Sequence, residues 1–351
     1  MWGLREWLLG FLPYTHGRQA TQPTSRALCT KPPRRAPIEQ SETTAARLPY
    51  DRFMRLHQSA YHRITVADSV AWRTMSFERN QQSSMALDDP FDSDIEYVDY
   101  LHLAMAVAPD AARSLVIGLG GGSVVKRMWR DYAPMHVDAV EIDSDVVDIA
   151  RAHFALPDDE RIAVTIGDGR EFVQAIATTY DIIIVDAFDD DHIPCHLMTR
   201  EFMRELRGRL APDGVVVYNA LGSLHGPDSA PFRSLHRTAC EAWRRVWLFP
   251  LGYAHEPSAA ARNIIMLATD APLATEELLA RISTCVHGRV SVRAFRTFGE
   301  DLYRGTIEHG DVPTLTDVGG CPGADDARNG DRRAHPSDRP SARETGRAGA
   351  V

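Results

Sequence analysis

Apolar residues along this chain fall into two rhythms. From residue 113 onward, short unbroken apolar runs alternate with stretches in which apolar positions recur every three or four residues. The runs at 115–117, 137–142, 162–166, 181–185 and 215–218 read as strands, and the periodic stretches from 123 through 128, over 144–154 and over 199–210 read as helices. The run Ile182-Ile183-Ile184-Val185 has no polar alternation, which marks a strand buried on both faces. Strands alternating with helices predict an α/β protein with a parallel, doubly wound sheet. Two further strands, at 246–250 and 263–268, and a helix over 276–283 complete that region. Upstream, 60–88 alternates loosely and predicts a small β segment. Over 94–107 (DIEYVDYLHLAMAV) the apolar spacing is helical, with Asp94 as its cap.

The ends have another character. Residues 14–47 are dominated by Thr, Arg, Pro, Ser and Ala, and the last forty or so by Gly, Asp, Arg, Pro and Ala. Neither can bury enough apolar surface to offset the entropy of ordering. The expected layout is a disordered extension at 1–47, a small N-terminal β segment plus helix at 48–108, a Rossmann-like catalytic domain at 109–308 and a disordered tail at 309–351. The apolar start at 1–13 is too short to span a bilayer and carries Arg5 and Glu6, so no membrane partner is expected. A net charge of −9 argues against nucleic acid and suits a cationic substrate. Five scattered cysteines, an odd count with no C-x-x-C pair, predict neither a disulfide framework nor a metal site, and a cytoplasmic location.

Candidate chemistry sits at the strand tips, in order. The first strand runs into Gly118-Leu119-Gly120-Gly121-Gly122-Ser123. Such a turn lets the backbone approach a nucleotide at a helix N-terminus, or is merely tight. Glu141 ends the second strand, beside that turn in a doubly wound sheet, where a carboxylate can accept both ribose hydroxyls of an adenosine. Asp168, in Gly167-Asp168-Gly169, follows the third strand and suits either an adenine amino group or a helix N-cap. Asp186 ends the fourth strand, and Asp189 follows on the same loop, so the pair can converge on one cation.

Taken together, 59–219 resembles the catalytic region of the spermidine synthase (polyamine aminopropyltransferase) family. The resemblance is carried by LVIGLGGGSVVKRM (115–128), VEIDSDVVDIAR (140–151), IGDGREFV (166–173), YDIIIVDAFDDDHIPCHLMTREF (180–202) and LAPDGVVVYN (210–219). It implies the Rossmann-like fold of S-adenosylmethionine-dependent methyltransferases. It further implies aminopropyl transfer from decarboxylated S-adenosylmethionine to a small amine such as putrescine, with no metal, and allows a homodimer. By the same resemblance Gly118, Gly120, Gly122, Glu141, Asp168 and Gly169 hold the donor. Asp186 is the catalytic aspartate and Asp189 helps hold the amine. Tyr61, Gln82 and Asn219 line the acceptor pocket.

Four departures from the family pattern stand out. Gly121 occupies the place of an aspartate in the glycine turn, Asp190 that of a proline and Asn219 that of a glutamine, and 85–95 is extra chain. These leave open methyl transfer from S-adenosylmethionine, or a non-catalytic nucleoside-binding role. Val116 stands where many methyltransferases carry an acid, which counts against methyl transfer. A nicotinamide dehydrogenase fits less well, because Ser123 replaces the last small residue of that fingerprint and Asp168 and Asp186 have no part in it. His102 reads as a packed or surface side chain, His192 and His196 as polar loop residues, and Trp243 and Trp247 as core.

Overall fold

In the computed structural model, which describes residues 54–189, 192–257, 260–286 and 298–319, the apolar runs become the strands of a central sheet. The expectations for 1–47 and for 320–351 lie outside the described residues.

Four antiparallel strands come first, β1 (Met54–Gln58), β2 (Arg63–Asp68), β3 (Trp72–Phe77) and β4 (Asn80–Ala86), in that spatial order. Ile64, Val66, Met75, Phe77 and Met85 point to one side and pack on Val146 and Phe154 of the larger unit. The helical stretch that follows is broken. α1 (Tyr97–Tyr100) and α2 (Ala104–Val107) are joined by a 3₁₀ turn at Leu101–Leu103. Asp94 is not its cap: its Oδ1 accepts a hydrogen bond from Gln81 Nε2, and Glu96 precedes the first turn without capping it.

The doubly wound region contains β5 (Arg113–Ile117), α3 (Ser123–Asp131), β6 (His136–Glu141), α4 (Ser144–His153), β7 (Ile162–Ile166), α5 (Gly169–Ala175), β8 (Tyr180–Val185), α6 (Arg200–Arg207), β9 (Leu210–Gly222), α7 (Ala230–Ala242), β10 (Arg245–Pro250), β11 (Arg262–Thr269) and α8 (Thr275–Arg281). Its seven strands lie in the order β10-β11-β9-β8-β5-β6-β7. β5 to β9 are parallel, while β11 and β10 return antiparallel. Ile182 and Ile184 belong to the core on one side of the sheet, Ile183 and Val185 to the core on the other, as the unbroken apolar run predicts. Chain order reverses between β5 and β8. Both tips therefore open into one crevice, where ligands bind in sheets of this kind.

Three findings correct the sequence expectations. No element is predicted between 219 and 245, yet α7 forms there, burying Phe232, Leu235 and Ala239 at helical spacing; Pro231 and the intervening Arg and His residues mask the pattern. Residues 309–319, assigned to the tail, are packed: Val312 and Leu315 are buried, Leu315 exchanges hydrogen bonds with Arg200 N and Thr238 Oγ1, and Asp317 pairs with Arg170. Two apolar residues three apart are enough to dock a polar segment whose remaining groups find partners. Cys195 is disulfide-bonded, where an odd, scattered cysteine count predicts no framework. Spacing identifies local motifs, and a single bond set by the fold leaves no such trace.

The extra chain at 85–95 is tied down by Lys126 of α3. Its ammonium, wholly buried, donates to the carbonyls of Pro90 and Phe154 at 2.6 and 2.7 Å. Trp243 and Trp247 are core, and His102 is buried against the Tyr132 hydroxyl. Among the described residues no helix is long and apolar enough to cross a membrane.

Candidate active site

At the crevice the backbone of β5 and β8 comes together so closely that residue 118 can carry no side chain. A Cβ on Gly118 would stand 2.3 Å from the Asp186 carbonyl oxygen, and its φ of +94° lies in the left-handed region. The turn that follows wraps round the Glu141 side chain. Glu141 Oε2 accepts the Leu119 amide at 2.8 Å and Oε1 accepts the Asp143 amide at 3.1 Å. Burial pushes the Glu141 carboxyl up, and these amides oppose the shift.

A hollow of about 610 Å³ opens between the turn and the four-stranded sheet, with Gly118, Gly120, Glu141 and Asp186 in its walls. A second hollow, of about 850 Å³, adjoins it and is lined by Asn80, Asn219, Leu221 and Asn263 among others. Gln82, Ile95, Tyr97 and Phe188 line both.

Asp186 stands in the wall of the first hollow. Its Oδ1 accepts a hydrogen bond from Asn219 Nδ2 at 2.8 Å, and the Tyr97 hydroxyl donates a second. Asn219 itself lines the second hollow. Burial drives the Asp186 carboxyl up to about 7, against the pull of those two donors. This is a carboxyl poised to exchange a proton near neutrality.

Residues 95–226 match the model of the Spermine/spermidine synthase domain. The polyamine aminopropyltransferase of Vibrio vulnificus is 35% identical over 189 residues, covering 51% of this chain and 63% of that protein. That of Chromobacterium violaceum is 37% identical over 140 residues, 39% of this chain and 53% of its own. The chain thus spans less than two thirds of these relatives' length. Among solved structures, a probable spermidine synthase from Corynebacterium glutamicum superposes with a TM-score of 0.56 at 20% identity, over 66% of this chain and 87% of the other. The spermidine synthase of Thermotoga maritima gives 0.51 at 21% identity, over 64% and 74%. At that identity the structures establish the shared Rossmann-like fold.

Not every expected site residue reaches the hollows. Gly118, Gly120, Glu141, Asp186, Gln82 and Asn219 do. Asp168 does not line either: it is the N-cap of α5, accepting the Arg170 and Glu171 amides at 2.8 and 2.9 Å, and its other oxygen lies 2.8 Å from His196 Nε2. That contact, chiefly, holds its carboxyl below the ordinary range. Gly169 is a packing glycine, since its Cβ would meet Ile117 at 2.4 Å. Gly122 caps α3 in the left-handed region. Asp189 is exposed and pairs through its backbone with His192, and Tyr61 is exposed at the surface of the small sheet. The pair of aspartates therefore does not converge in this conformation, because the 186–189 loop turns Asp189 outward.

Tyr97, Asn263 and Ser83 belong to the site and were not expected. Tyr97 reads from sequence as part of an amphipathic helix, and Asn263 as the first residue of an apolar strand; a polar group opening such a run is the one signal that marks it. Among the described residues no group of three or more His, Cys, Asp or Glu is placed to hold a metal ion.

Proposed function

We propose that the chain transfers an aminopropyl group from decarboxylated S-adenosylmethionine to a small amine such as putrescine. The observation that carries this reading is Asp186: a partly exposed carboxyl with a raised pKa, held by two donors in the wall of the first of two contiguous hollows. The amine nitrogen attacks the CH2 beside the donor's sulfonium, the carbon–sulfur bond breaks, and methylthioadenosine leaves. A free alkylamine is protonated at neutral pH, and removing its proton costs about 4 kcal/mol, from roughly three units at 1.36 each. Asp186 accepts that proton, and at a pKa near 7 it is a much stronger base than an ordinary carboxylate. Holding both reactants in line supplies much of the remaining acceleration.

In this reading the first hollow takes the donor and the second the amine. Glu141 accepts the amides of Leu119, Asp143 and Gly120, which leaves about one of the roughly four acceptor sites of a carboxylate for a ribose hydroxyl. Asp168 and Gly169 hold the adenine end, which requires His196 to release the outer oxygen of Asp168. Asp189 turns inward to steady the acceptor, and Gln82, Tyr97 and Asn219 line its path. The names of the relatives, polyamine aminopropyltransferases, support the same chemistry.

One observation favours methyl transfer as a second reading. At Gly121 there is no acid, and none fits: a Cβ there would stand 2.8 Å from Phe154 Cδ1 and 2.9 Å from Ser83 Cβ. The donor tail thus lacks the carboxylate that the family resemblance places in the turn. Incubating the purified chain with each donor and putrescine, and measuring methylthioadenosine against S-adenosylhomocysteine, decides between them. Absence of methylthioadenosine with any amine overturns aminopropyl transfer. Donor binding by calorimetry without turnover leaves a nucleoside-binding protein.

A further inference from the structure

An asparagine can turn either its NH2 or its oxygen toward a neighbour, since the two ends of the amide have almost the same shape. Against a carboxylate they act oppositely: the NH2 stabilises the anion and the oxygen repels it. Asn219 is fully buried and lies 2.8 Å from Asp186, so the choice bears directly on the Asp186 carboxyl.

Asn263 is the neighbour placed to bias that choice. It stands on β11 opposite Leu221, while Ile265 faces Asn219, so the two asparagines are diagonal neighbours across an antiparallel pair. Asn263 Nδ2 donates to Asn219 Oδ1 at 2.9 Å. With its oxygen engaged there, Asn219 has only its NH2 left for Asp186. We propose that Asn263 is a positioning residue that, acting through Asn219, locks the donor side of the amide onto Asp186 and so sets the proton affinity of that carboxyl. A chain of amides polarised in one direction strengthens each bond in it. The consequence for catalysis rests on the proposed role of Asp186; the consequence for its titration does not.

The other polar and titratable groups round Asp186 come from different elements. They are the Tyr97 hydroxyl of α1 and, across the first hollow, the Glu141 carboxyl at the tip of β6; Asp189, on its own loop, is exposed. Of these, Tyr97 lines the second hollow with Asn263, while Glu141 and Asp189 do not.

The test is carboxyl-detected NMR titration of Asp186 in the full chain, its signal assigned by its loss in Asp186→Asn. Asn263→Leu removes the donor without adding charge and raises the Asp186 midpoint by about half a unit to one unit, a three- to tenfold rise in proton affinity. Asn263→Asp raises it further, because a carboxylate at 263 draws the Asn219 NH2 away and turns its oxygen to Asp186. Asn263→Ser keeps a hydroxyl donor and lies nearer the unaltered chain than Asn263→Leu. In turnover, the acid limb of the kcat profile moves by the same amounts while the donor KM holds. An Asp186 midpoint unchanged in Asn263→Leu, or shifted as far in Asn263→Ser as in Asn263→Leu, with thermal unfolding confirming the folded state, overturns the proposal. If no amine yields methylthioadenosine, the proposed function falls, and the titration still decides the role of Asn263.

Discussion

Ser83 Oγ accepts the Gly121 amide at 2.7 Å, so a serine from the last strand of the small sheet seals the glycine turn of the large one. The same serine and Phe154 occupy the space into which any side chain at 121 would grow. The turn glycine and the small sheet are thus fitted to each other, and changing one demands a change in the other.

Gly121→Ala should therefore destabilise the chain by about 1–3 kcal/mol through overpacking. Gly121→Asp should cost more, because its carboxylate would be buried against Phe154 without a partner. Denaturant unfolding measures both. Equal stability of Gly121→Asp and the unaltered chain would contradict the packing described.

Asp186→Asn should lower kcat by roughly 10²–10⁴-fold, the usual range for loss of a positioned base, and leave donor binding within a few-fold. Tyr97→Phe removes one of the two donors to Asp186 and should raise its pKa, moving the acid limb of the kcat profile upward. Rate profiles between pH 5 and 9 with calorimetric donor titrations test both.

Asp186 also imposes a pH dependence on stability. Its folded pKa, about 7, lies above the ordinary carboxylate value of 3.8, so the native state prefers the protonated form. The cost of burying its charge is absent below about pH 4, grows as pH rises, and is complete above about pH 7. Three units correspond to at most about 4 kcal/mol, and less here because Asp186 is partly exposed to the hollow. The stability of Asp186→Asn relative to the unaltered chain should accordingly improve between pH 4 and 8. Parallel stability curves across that range would refute the shift.

Ending the chain after residue 308 removes the buried side chains of Val312 and Leu315 and the Asp317 partner of Arg170. Burial of the two apolar groups alone predicts a loss of about 3–5 kcal/mol. Thermal or denaturant unfolding of the shortened chain checks this, and a loss below 1 kcal/mol would mean that the segment does not dock.

Sequence alone determined the central sheet, its parallel strands and the crevice at their tips, because apolar periodicity and the identity of strand-end residues are local properties. Gly118, Glu141 and Asp186 were legible for that reason. What tertiary structure decided is which side chains share the crevice. Tyr97, Asp186, Asn219 and Asn263 come from four separate segments, and their hydrogen bonds exist only once β8, β9 and β11 lie side by side beneath α1. The Asp168 helix cap was one of its two sequence readings, while tertiary packing turned Asp189 to the surface. A carboxylate goes to whichever donor the fold brings within hydrogen-bond reach, and that distance is written nowhere in the order of residues.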